Sequence, residues 1–424
     1  MVVEKDESGI SPDGVIRIQR PGLQTFVTVA SPVRQVTIDP QTALTYIVAG
    51  SRFYTAATGS LVDVGSVGNG PDARIVVTAL KTGILSAGAF YLFDGATVTN
   101  IPVPDGAFVT DIDQINGYFL LLLPSGRFYW LVPGETVIDP LNFATAESSN
   151  DSAYAIRQVG EEFWIFGSRT VEPWQPTGDL DLPFQRAQGR VMARGALPGR
   201  HECRFDNSIV WVGDDANVYR GGAVPQIISN PGISERIRLC YAANGNCTAW
   251  TFEVDGHAYY VLRITTQGTF VYDASTQLWS RWQTEGDTHW TPWVGDSLGG
   301  ATFAGEHNGT RVFRVSPMYL MDVETAFTRL LTGSVPILGT PPRNDSLSIG
   351  VGATADTTVR IRWRDGQDDY PVDYYDELEV RAPFDICSMY RLGAPVPPYR
   401  EVEISFVGPE GVRVAGCLAN EAWQ

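Results

Sequence analysis

A repeated aromatic hairpin constrains the fold of this chain more than any other feature of its sequence. The central example spans residues 163–189, where the apolar run FWIF turns at Gly167 and Ser168 and the chain returns through Thr170 and Trp174. Apolar runs of this length, bounded by turn residues and rich in aromatics, are typical of buried strands and are too short for helices. Six more pairs flank short turns in the same way: Tyr46/Phe53, Tyr91/Val98, Phe119/Tyr129, Trp211/Tyr219, Tyr260/Tyr272 and Phe313/Tyr319.

The spacing of these hairpins predicts a β-propeller. Successive hairpins begin about 45, 28, 45, 47, 49 and 53 residues apart. A period of about 40–50 residues, with room for some four strands per unit, is typical of propeller blades, which bury their apolar faces against one another. Six or seven blades fit, because the short step leaves open whether residues 90–102 and 118–133 form two blades or share one. The strands in residues 27–38 are candidates to close the ring by joining the last blade.

The composition of the chain and the positions of its glycines and prolines indicate an all-β protein with more than one domain. The 424 residues include 43 glycines and 27 prolines, too many for long helices. A Pro- and Gly-rich connection, SVPILGTPPRND at 334–345, marks a boundary, and short strands follow it. The sequence therefore predicts an N-terminal arm at residues 1–20, a β-propeller of six or seven blades at 21–330 and a β-sandwich-like domain at 331–424.

The charge of the chain limits which molecules it can bind, and its cysteine content and lack of a signal peptide indicate the cell compartment in which it is made. The chain has 31 Lys and Arg against 48 Asp and Glu, a formal net charge of −17, which disfavours a neutralising grip on nucleic acid. Its five cysteines form no CxxC pair, so we expect buried free thiols and neither a zinc site nor a complete disulfide framework. Neither a signal-peptide pattern nor a long apolar run is present, so we expect a chain that is made in the cytoplasm and does not insert into membranes.

A series of motifs in fixed order over most of the chain resembles one protein family. The motifs are RPGL (20–23), NGYFLLLLPSGRFYW (116–130), DPLNFATAE (139–147), EFWIFGSRTVEPWQPTG (162–178), PFQRAQG (183–189), GHAYYVL (256–262), TFVYDASTQLWSRW (269–282), and YRLGAP (390–395) followed by REVEISF. Together they resemble the packaged-DNA stabilisation, or tail-hub and nozzle, proteins of short-tailed bacteriophages. The chain departs from that pattern at Gly195-Ala196, where family members often carry Gly-Cys.

This resemblance implies a structural role in a virion tail. It implies a propeller-bearing subunit that assembles as a closed ring, commonly a homohexamer, below the portal and its adaptor ring. Such a ring extends the DNA channel, helps to retain the packaged genome and conducts DNA during ejection, with tail fibre, spike or needle proteins as further partners. An acidic surface suits this role, because a polyanion slides past it without adhering.

Two groups of charged residues are the candidate contact sites. The first comprises Arg186, Arg190, Arg194 and Arg200, which follow the central hairpin. Because arginine suits interfaces through bidentate pairing, we predict subunit or partner contacts here, with a basic stripe for nucleic acid as the alternative. The second comprises Asp365, Asp368, Asp369, Asp373 and Asp376, which we predict to form an acidic surface or to face the ring lumen. Their spacing is not that of an EF-hand calcium loop.

Two alternatives come from other functional classes: a propeller hydrolase or glycan-binding protein, and a generic scaffold that binds peptides on one propeller face. Only four histidines are available as general bases, and His257, between a glycine and a strand, is predicted to be structural. Neither a Gly-x-Ser-x-Gly elbow nor an HExxH motif occurs. The pairs Asp111/Asp113 and Asp179/Asp181 could form an acid/base pair, but a spacing of two along a strand predicts a shared exposed face. We therefore expect no enzyme activity and no catalytic, metal or cofactor site.

Overall fold

The computed structural model describes residues 2–5, 15–146, 152–222, 224–326, 328–336, 346–365, 376–390, 392, 399–406, 408 and 410–419. Within these ranges nearly all regular structure is β-strand. The chain divides into two compact units, one formed by residues 25–283 and 287–315 and the other by residues 1–24, 284–286 and 316–424. The first unit contains every residue of the seven predicted hairpins except Tyr319, which lies in the second unit.

The first unit is a series of antiparallel sheets, here called blades, each built from consecutive strands. The chain begins with β1 (Val2–Lys5), β2 (Val15–Ile18) and β3 (Gly22–Thr28). Blade 1 contains β4 (Val33–Ile38), β5 (Thr45–Ala49), β6 (Arg52–Ala57) and β7 (Ser60–Ser66). Blade 2 contains β8 (Ala73–Val77), β9 (Thr82–Ser86), β10 (Ala89–Phe93) and β11 (Val98–Ile101). Blade 3 contains β12 (Asp111–Ile115), β13 (Tyr118–Leu122), β14 (Arg127–Leu131) and β15 (Phe143–Thr145).

Four more blades complete the series. Blade 4 contains β16 (Ala153–Val159), β17 (Glu162–Gly167), β18 (Val171–Pro176) and β19 (Phe184–Arg186). The short strand β20 (Gly199–Arg200) precedes blade 5, which contains β21 (Cys203–Phe205), β22 (Ser208–Val212), β23 (Val218–Arg220) and β24 (Gln226–Ile227). After helix α1 (Pro231–Ala242), blade 6 contains β25 (Cys247–Val254), β26 (His257–Ile264), β27 (Gly268–Asp273) and β28 (Leu278–Trp282), with β20 parallel to β25. Blade 7 contains β29 (Pro292–Leu298), β30 (Ala301–Glu306), β31 (Arg311–Ser316) and, from the start of the chain, β3.

The first strands of the blades form a closed circle. Strands β4, β8, β12, β16, β21, β25 and β29 each contact the next, and β29 contacts β4. Because β3 supplies the outer strand of blade 7, the N-terminal part of the propeller chain closes the ring. The described residues of this unit therefore form a seven-bladed β-propeller. Residues 33–38, which the sequence also offered for ring closure, instead form the innermost strand of blade 1.

The predicted hairpin repeat is confirmed in blades 1–6, whereas the pair predicted for blade 7 is wrong: Phe313 lies on β31, but Tyr319 follows that strand in a turn. Trp211 and Tyr219 are register partners in blade 5, as are Tyr260 and Tyr272 in blade 6. The short step that the sequence left open separates two complete blades, because blade 2 has all four of its strands within residues 73–101. The blade count is therefore seven.

Apolar side chains pack between neighbouring blades. Tyr46 and Phe53 of blade 1 lie 5.7 and 5.1 Å, between ring centroids, from Phe93 of blade 2. Trp164 of blade 4 meets Trp211 of blade 5 edge-on at 6.4 Å. Edge-to-face contacts of buried aromatics add about 0.5–1.5 kcal/mol each to the area that they bury. Each blade is thus stabilised mainly by its neighbours.

The sequence reasoning missed helix α1. Asn230 caps this helix, since its side chain accepts a hydrogen bond from the Ile233 backbone N–H at 3.0 Å, and Pro231 occupies the first turn. Both are ordinary helix-start signals. The helix buries Ile233, Ile237 and Cys240 in the core that blades 5 and 6 share. The signal was therefore present within the single turn-rich connection that separates these two blades.

The second unit contains two antiparallel sheets. Its strands are β32 (Arg329–Pro336), β33 (Ser346–Ala353), β34 (Thr357–Asp365), β35 (Asp376–Val380), β36 (Phe384–Tyr390), β37 (Tyr399–Phe406) and β38 (Val412–Ala419). One sheet has the order β1-β2-β38-β33-β36 and the other β32-β37-β34-β35. Apolar residues of both sheets form one buried cluster that includes Ile349, Ile361 and Ile404. The β-sandwich-like class stays a prediction, and the predicted arm contributes two strands, β1 and β2, to the first sheet.

The predicted domain boundaries also stay predictions. The expected connection at 334–345 begins inside β32, which extends to Pro336, and residues 337–345 lie outside the described ranges.

Truncation of the chain at about Val335 is expected to leave the propeller folded, because its blades bury their apolar faces on one another. Limited proteolysis of the intact protein should accordingly cut within residues 334–345 and leave a stable large fragment. The thermal transition of the truncated chain, followed by near-UV circular dichroism, measures this. Loss of that transition in the truncated chain would show that the boundary is wrong.

Candidate functional site

The innermost strands of the propeller enclose two pockets along its axis. One pocket, of about 440 Å³, lies toward the C-terminal ends of these strands, and the other, of about 610 Å³, lies toward their N-terminal ends. Four residues line both pockets: Arg157, Arg200, Glu202 and Thr248. These side chains therefore form a partition between the pockets.

A buried ion-pair network links blades 2, 3 and 4 at this partition. Asp111, on β12, pairs with Arg157 on β16 and lies 2.9 Å from Nε of Arg74 on β8. The Asp111 carboxylate also accepts the backbone N–H of Ile156 at 3.0 Å. Burial raises a carboxyl pKa, but the guanidiniums of Arg157, Arg74 and Arg200 and the Ile156 N–H together hold the pKa of Asp111 below its ordinary value of 3.8. Asp111 is therefore a charged connection between three blades.

A second ion pair extends the network to blade 5. Asp113, on β12, accepts the backbone N–H of Gln158 at 2.8 Å and pairs with Arg204 on β21. Arg204 in turn donates from Nε to the Gln158 carbonyl at 2.8 Å. Blades 3, 4 and 5 are therefore held at the axis by charge-assisted hydrogen bonds, which are among the stronger kinds.

The expectation that Asp111 and Asp113 share an exposed face is wrong. Both are only 4% exposed. The spacing of two does place them on one face of β12, but β12 is an innermost strand, so that face turns toward the arginines of neighbouring blades. The other pair, Asp179 and Asp181, lies exposed in the β18–β19 loop, as expected.

Glu202, the buried carboxylate of the partition, lies next to a buried histidine, His201. The Val212 backbone N–H donates to Nδ1 of His201 at 3.1 Å, and Nε2 of His201 lies 2.9 Å from the Leu197 carbonyl, which assigns the proton to Nε2. Among the described residues, neither carboxylate oxygen of Glu202 has a hydrogen-bond partner, and Oε1 lies 3.5 Å from His201 Nδ1. Sequence reasoning gave no signal for either residue, because their burial depends on ring closure.

The axial pockets are too small for duplex DNA. A volume of about 440 Å³ is that of a cube roughly 8 Å on an edge, less than the ~12 Å width of the major groove alone. Side chains of the ion-pair network also divide the axis. The propeller axis is therefore closed to DNA.

The structure separates the four predicted contact arginines. Arg200 lines the axial pockets, with Nη1 3.8 Å from Asp72. The other three lie on blade 4 and the connection that follows it, each 38–45% exposed: Arg186, Arg190 and Arg194. Their carboxylate partners are, in the same order, Glu172, Glu162 and the pair Asp214 and Asp215. No free basic stripe results from these residues, and their contact role stays a prediction.

The predicted acidic group lies partly outside the described residues. Asp368, Asp369 and Asp373 fall within residues 366–375, which the structure does not describe. Asp365, at the end of β34, accepts two hydrogen bonds from Arg400 at 2.6 and 2.7 Å, so its charge is neutralised. Asp376 begins β35 and is half-buried. A role for this group in a lumen stays a prediction.

The described residues offer little catalytic chemistry. Nδ1 of His257 lies 2.8 Å from Asp273, and its ring stacks on Tyr259, as expected of a structural histidine. Across the described ranges, no group of three or more His, Cys, Asp or Glu side chains is arranged to hold a metal ion. Four of the cysteines are described as free thiols: Cys240, Cys247 and Cys387 are buried, and Cys203 is partly exposed. In the same part of the chain, no helix is long and apolar enough to cross a membrane.

Solved structures similar to this chain are propellers with low sequence identity. The WD40 β-propeller domain of Doa1 is 10% identical, with a TM-score of 0.46, and the match covers 70% of this chain and 97% of that one. The RRP9 WD40 repeats are 9% identical, with a TM-score of 0.47 and coverage of 70% and 99%. BamB from Moraxella catarrhalis is 12% identical, with a TM-score of 0.44 and coverage of 74% and 96%. No curated protein matches the chain.

One protein-family model matches most of this chain by sequence. It is described as Bacteriophage P22 Gp10, beta-propeller, a family of phage packaged-DNA stabilisation proteins, and it matches residues 1–319. This range includes the propeller and the hairpin series, and it confirms the resemblance seen in the motifs. The family is one of phage structural proteins. The chain belongs to the phage packaged-DNA stabilisation family described as Bacteriophage P22 Gp10, beta-propeller.

Proposed function

We propose that this protein is a tail nozzle or hub subunit that forms a ring below the portal and its adaptor. The ring extends the DNA channel, helps to retain the packaged genome and conducts it during ejection. Family membership over residues 1–319 is the observation that carries this proposal. A closed homohexamer is the arrangement that we propose for the ring.

The DNA path of such a ring lies between subunits and not within a propeller. The axial pockets are too small for a duplex, and the side chains of the partition lie between them. The propellers therefore act as wall blocks around a larger central hole. Each block is rigid, because its charged axis and its aromatic inter-blade contacts tie the blades together.

The acidic composition supports passage of DNA without adhesion. Six subunits carry 6 × (−17) = −102 formal charges. Screening shortens electrostatic interactions to about 10 Å at 0.1 M salt, so repulsion acts only where wall and phosphate nearly touch. Genome retention must then come from closure of the tube by partner proteins, for which the adaptor ring and the tail fibre, spike or needle proteins are the proposed candidates.

The exposed arginines on blade 4 and on the connection that follows it are proposed contact residues. Arg186, Arg190 and Arg194 already hold carboxylates of their own chain. A subunit contact can exchange the Arg190 and Arg194 pairs at little cost, since a surface ion pair contributes only about 0–1 kcal/mol. Arg186 differs, because its partner Glu172 is only 3% exposed.

Ring assembly on its template tests this function. Purified protein is mixed with the preassembled portal–adaptor complex, and light scattering with negative-stain imaging then measures subunit number and ring shape. We expect a closed ring with a central hole on the complex, even if the isolated chain is a monomer. A chain that stays monomeric in the presence of the complex would refute the proposed role.

A further inference from the structure

One face of the propeller carries exposed apolar loops on three adjacent blades. This is the face at which the first strand of each blade ends. In an antiparallel blade, the turn after the first strand and the loop after the third strand therefore lie on it. It includes residues 78–81 of blade 2, 132–142 of blade 3 and 177–183 of blade 4, together called the loop face. Six of its side chains are apolar and between 37% and 86% exposed: Leu80, Val132, Val137, Leu141, Leu180 and Leu182. Neighbouring exposed apolar side chains, unlike scattered ones, mark interaction sites.

Contacts between the blades make the loop face continuous. Nζ of Lys81, in the blade 2 turn, donates to the carbonyls of Gly134 and Glu135 in the blade 3 loop, at 2.9 and 3.3 Å. At the other side of blade 3, the ring of Tyr118 lies 5.5 Å from that of Phe184, which ends the blade 4 loop. The three segments are therefore held side by side.

Local hydrogen bonds present the leucines outward. In the blade 3 loop, Asp139 accepts the backbone N–H of Leu141 at 2.8 Å. In the blade 4 loop, Asp179 accepts the backbone N–H of Asp181 at 2.8 Å, and the Thr177 N–H donates to the Pro183 carbonyl at 2.9 Å. These turns fix the backbone, so exposure of the leucines is built into the loops and costs little further ordering on binding.

The charge of the loop face selects the partner. Its segments carry four exposed carboxylates and one lysine, whose ammonium is already engaged: Glu135, Asp139, Asp179, Asp181 and Lys81. A second copy docked through the same face would bring eight carboxylates together, and a nucleic-acid or anionic lipid surface would also be repelled. Like-charge contacts of this kind disfavour such partners, whereas a basic surface is attracted.

We propose that the loop face docks another protein of the particle through a surface that carries basic side chains around apolar sockets. The leucines fill the sockets, and the adjacent carboxylates pair with the basic rim. This inference rests on membership in a phage structural family but not on ring formation, since the face lies on one propeller.

Hydrogen exchange of the protein inside the assembled particle, compared with the isolated full chain, tests the proposal. We expect slower exchange in residues 78–81, 132–142 and 177–183 in the particle, and unchanged exchange in the largely exposed turn at residues 265–267 of blade 6, which lies on the opposite side of the propeller. Equal exchange of the loop face in the two states would overturn the proposal, even where a ring has formed.

Two variants separate the apolar from the charged contribution. Leu141→Ser with Leu180→Ser should leave the thermal transition of the isolated chain unchanged but lower its incorporation into particles at least tenfold. Glu135→Lys with Asp181→Lys, which keeps the turn hydrogen bonds of Asp139 and Asp179, should have the same effect, while Leu61→Ser with Val62→Ser, exposed positions on blade 1, should incorporate normally. Normal incorporation of the leucine variant would contradict docking, and normal incorporation of the lysine variant would contradict a basic partner.

Discussion

Replacing Asp111 by Ala is expected to lower the free energy of unfolding by about 3–5 kcal/mol. The substitution leaves Arg157, only 3% exposed, without its carboxylate, and it also removes the partner of Arg74. A buried cation that loses its counter-ion keeps its full desolvation cost. Urea unfolding at pH 7, followed by tryptophan fluorescence, measures the change.

An exposed ion pair in the same propeller provides the matched control. Asp63, which is 42% exposed, pairs with Arg52 in blade 1. Asp63→Ala should cost about 0–1 kcal/mol, because water solvates both partners. Equal losses in the two variants would show that the axial network is not a special source of stability.

The stability of Asp111→Ala should also depend on pH differently from that of the wild type. The pKa of Asp111 is lower in the folded chain than its ordinary value of 3.8. Its contribution to stability is therefore present above about pH 4 and is lost as the pH falls through the folded pKa. The difference in free energy of unfolding between wild type and Asp111→Ala should therefore become smaller below pH 4.

Trp164→Ala should also lower the free energy of unfolding by about 3–5 kcal/mol and so abolish incorporation into particles. Trp164 is 4% exposed and packs between blades 4 and 5, where it meets Trp211. The next blade closes tightly on it, since a Cβ placed on Gly221 would lie 2.5 Å from its ring. The space left by truncation therefore lies between two blades and is bounded by rigid backbone.

Leu180→Ala is the control for this second substitution in the unfolding measurement. Leu180 belongs to the same blade but is 86% exposed, so its truncation should change stability by no more than about 0.5 kcal/mol. A wild-type thermal transition in Trp164→Ala would mean that the central hairpin is peripheral to the core.

The fold was largely predictable because a propeller repeats a local pattern. Each blade needs an apolar hairpin, so residues such as Trp211 and Tyr219 are visible in sequence without knowledge of their distant neighbours. The second step is short because Tyr91 lies on the third strand of blade 2, whereas Phe119 lies on the second strand of blade 3. Helix α1 escaped detection because it is the one helix of this length among the described elements, set within a turn-rich connection.

The axial site could not be predicted, because its chemistry arises only when the ring closes. Asp111 and Arg157 are 46 residues apart in the sequence, and each looks like an ordinary strand residue. The loop face was hidden for the opposite reason. Leu141 and Leu180 look like core residues in the sequence, and the hydrogen-bonded turns that expose them appear only in the folded chain.

Whether the protein surrounds duplex DNA without gripping it is measured most directly by titrating labelled duplex with assembled rings across 50–200 mM salt. Negligible binding at 150 mM is the predicted result, since each subunit carries −17 formal charges and its four candidate arginines pair with carboxylates of their own chain. Tight binding that weakens steeply with salt, with a log–log slope equivalent to several phosphate contacts, would instead establish a direct DNA clamp and contradict the sliding wall.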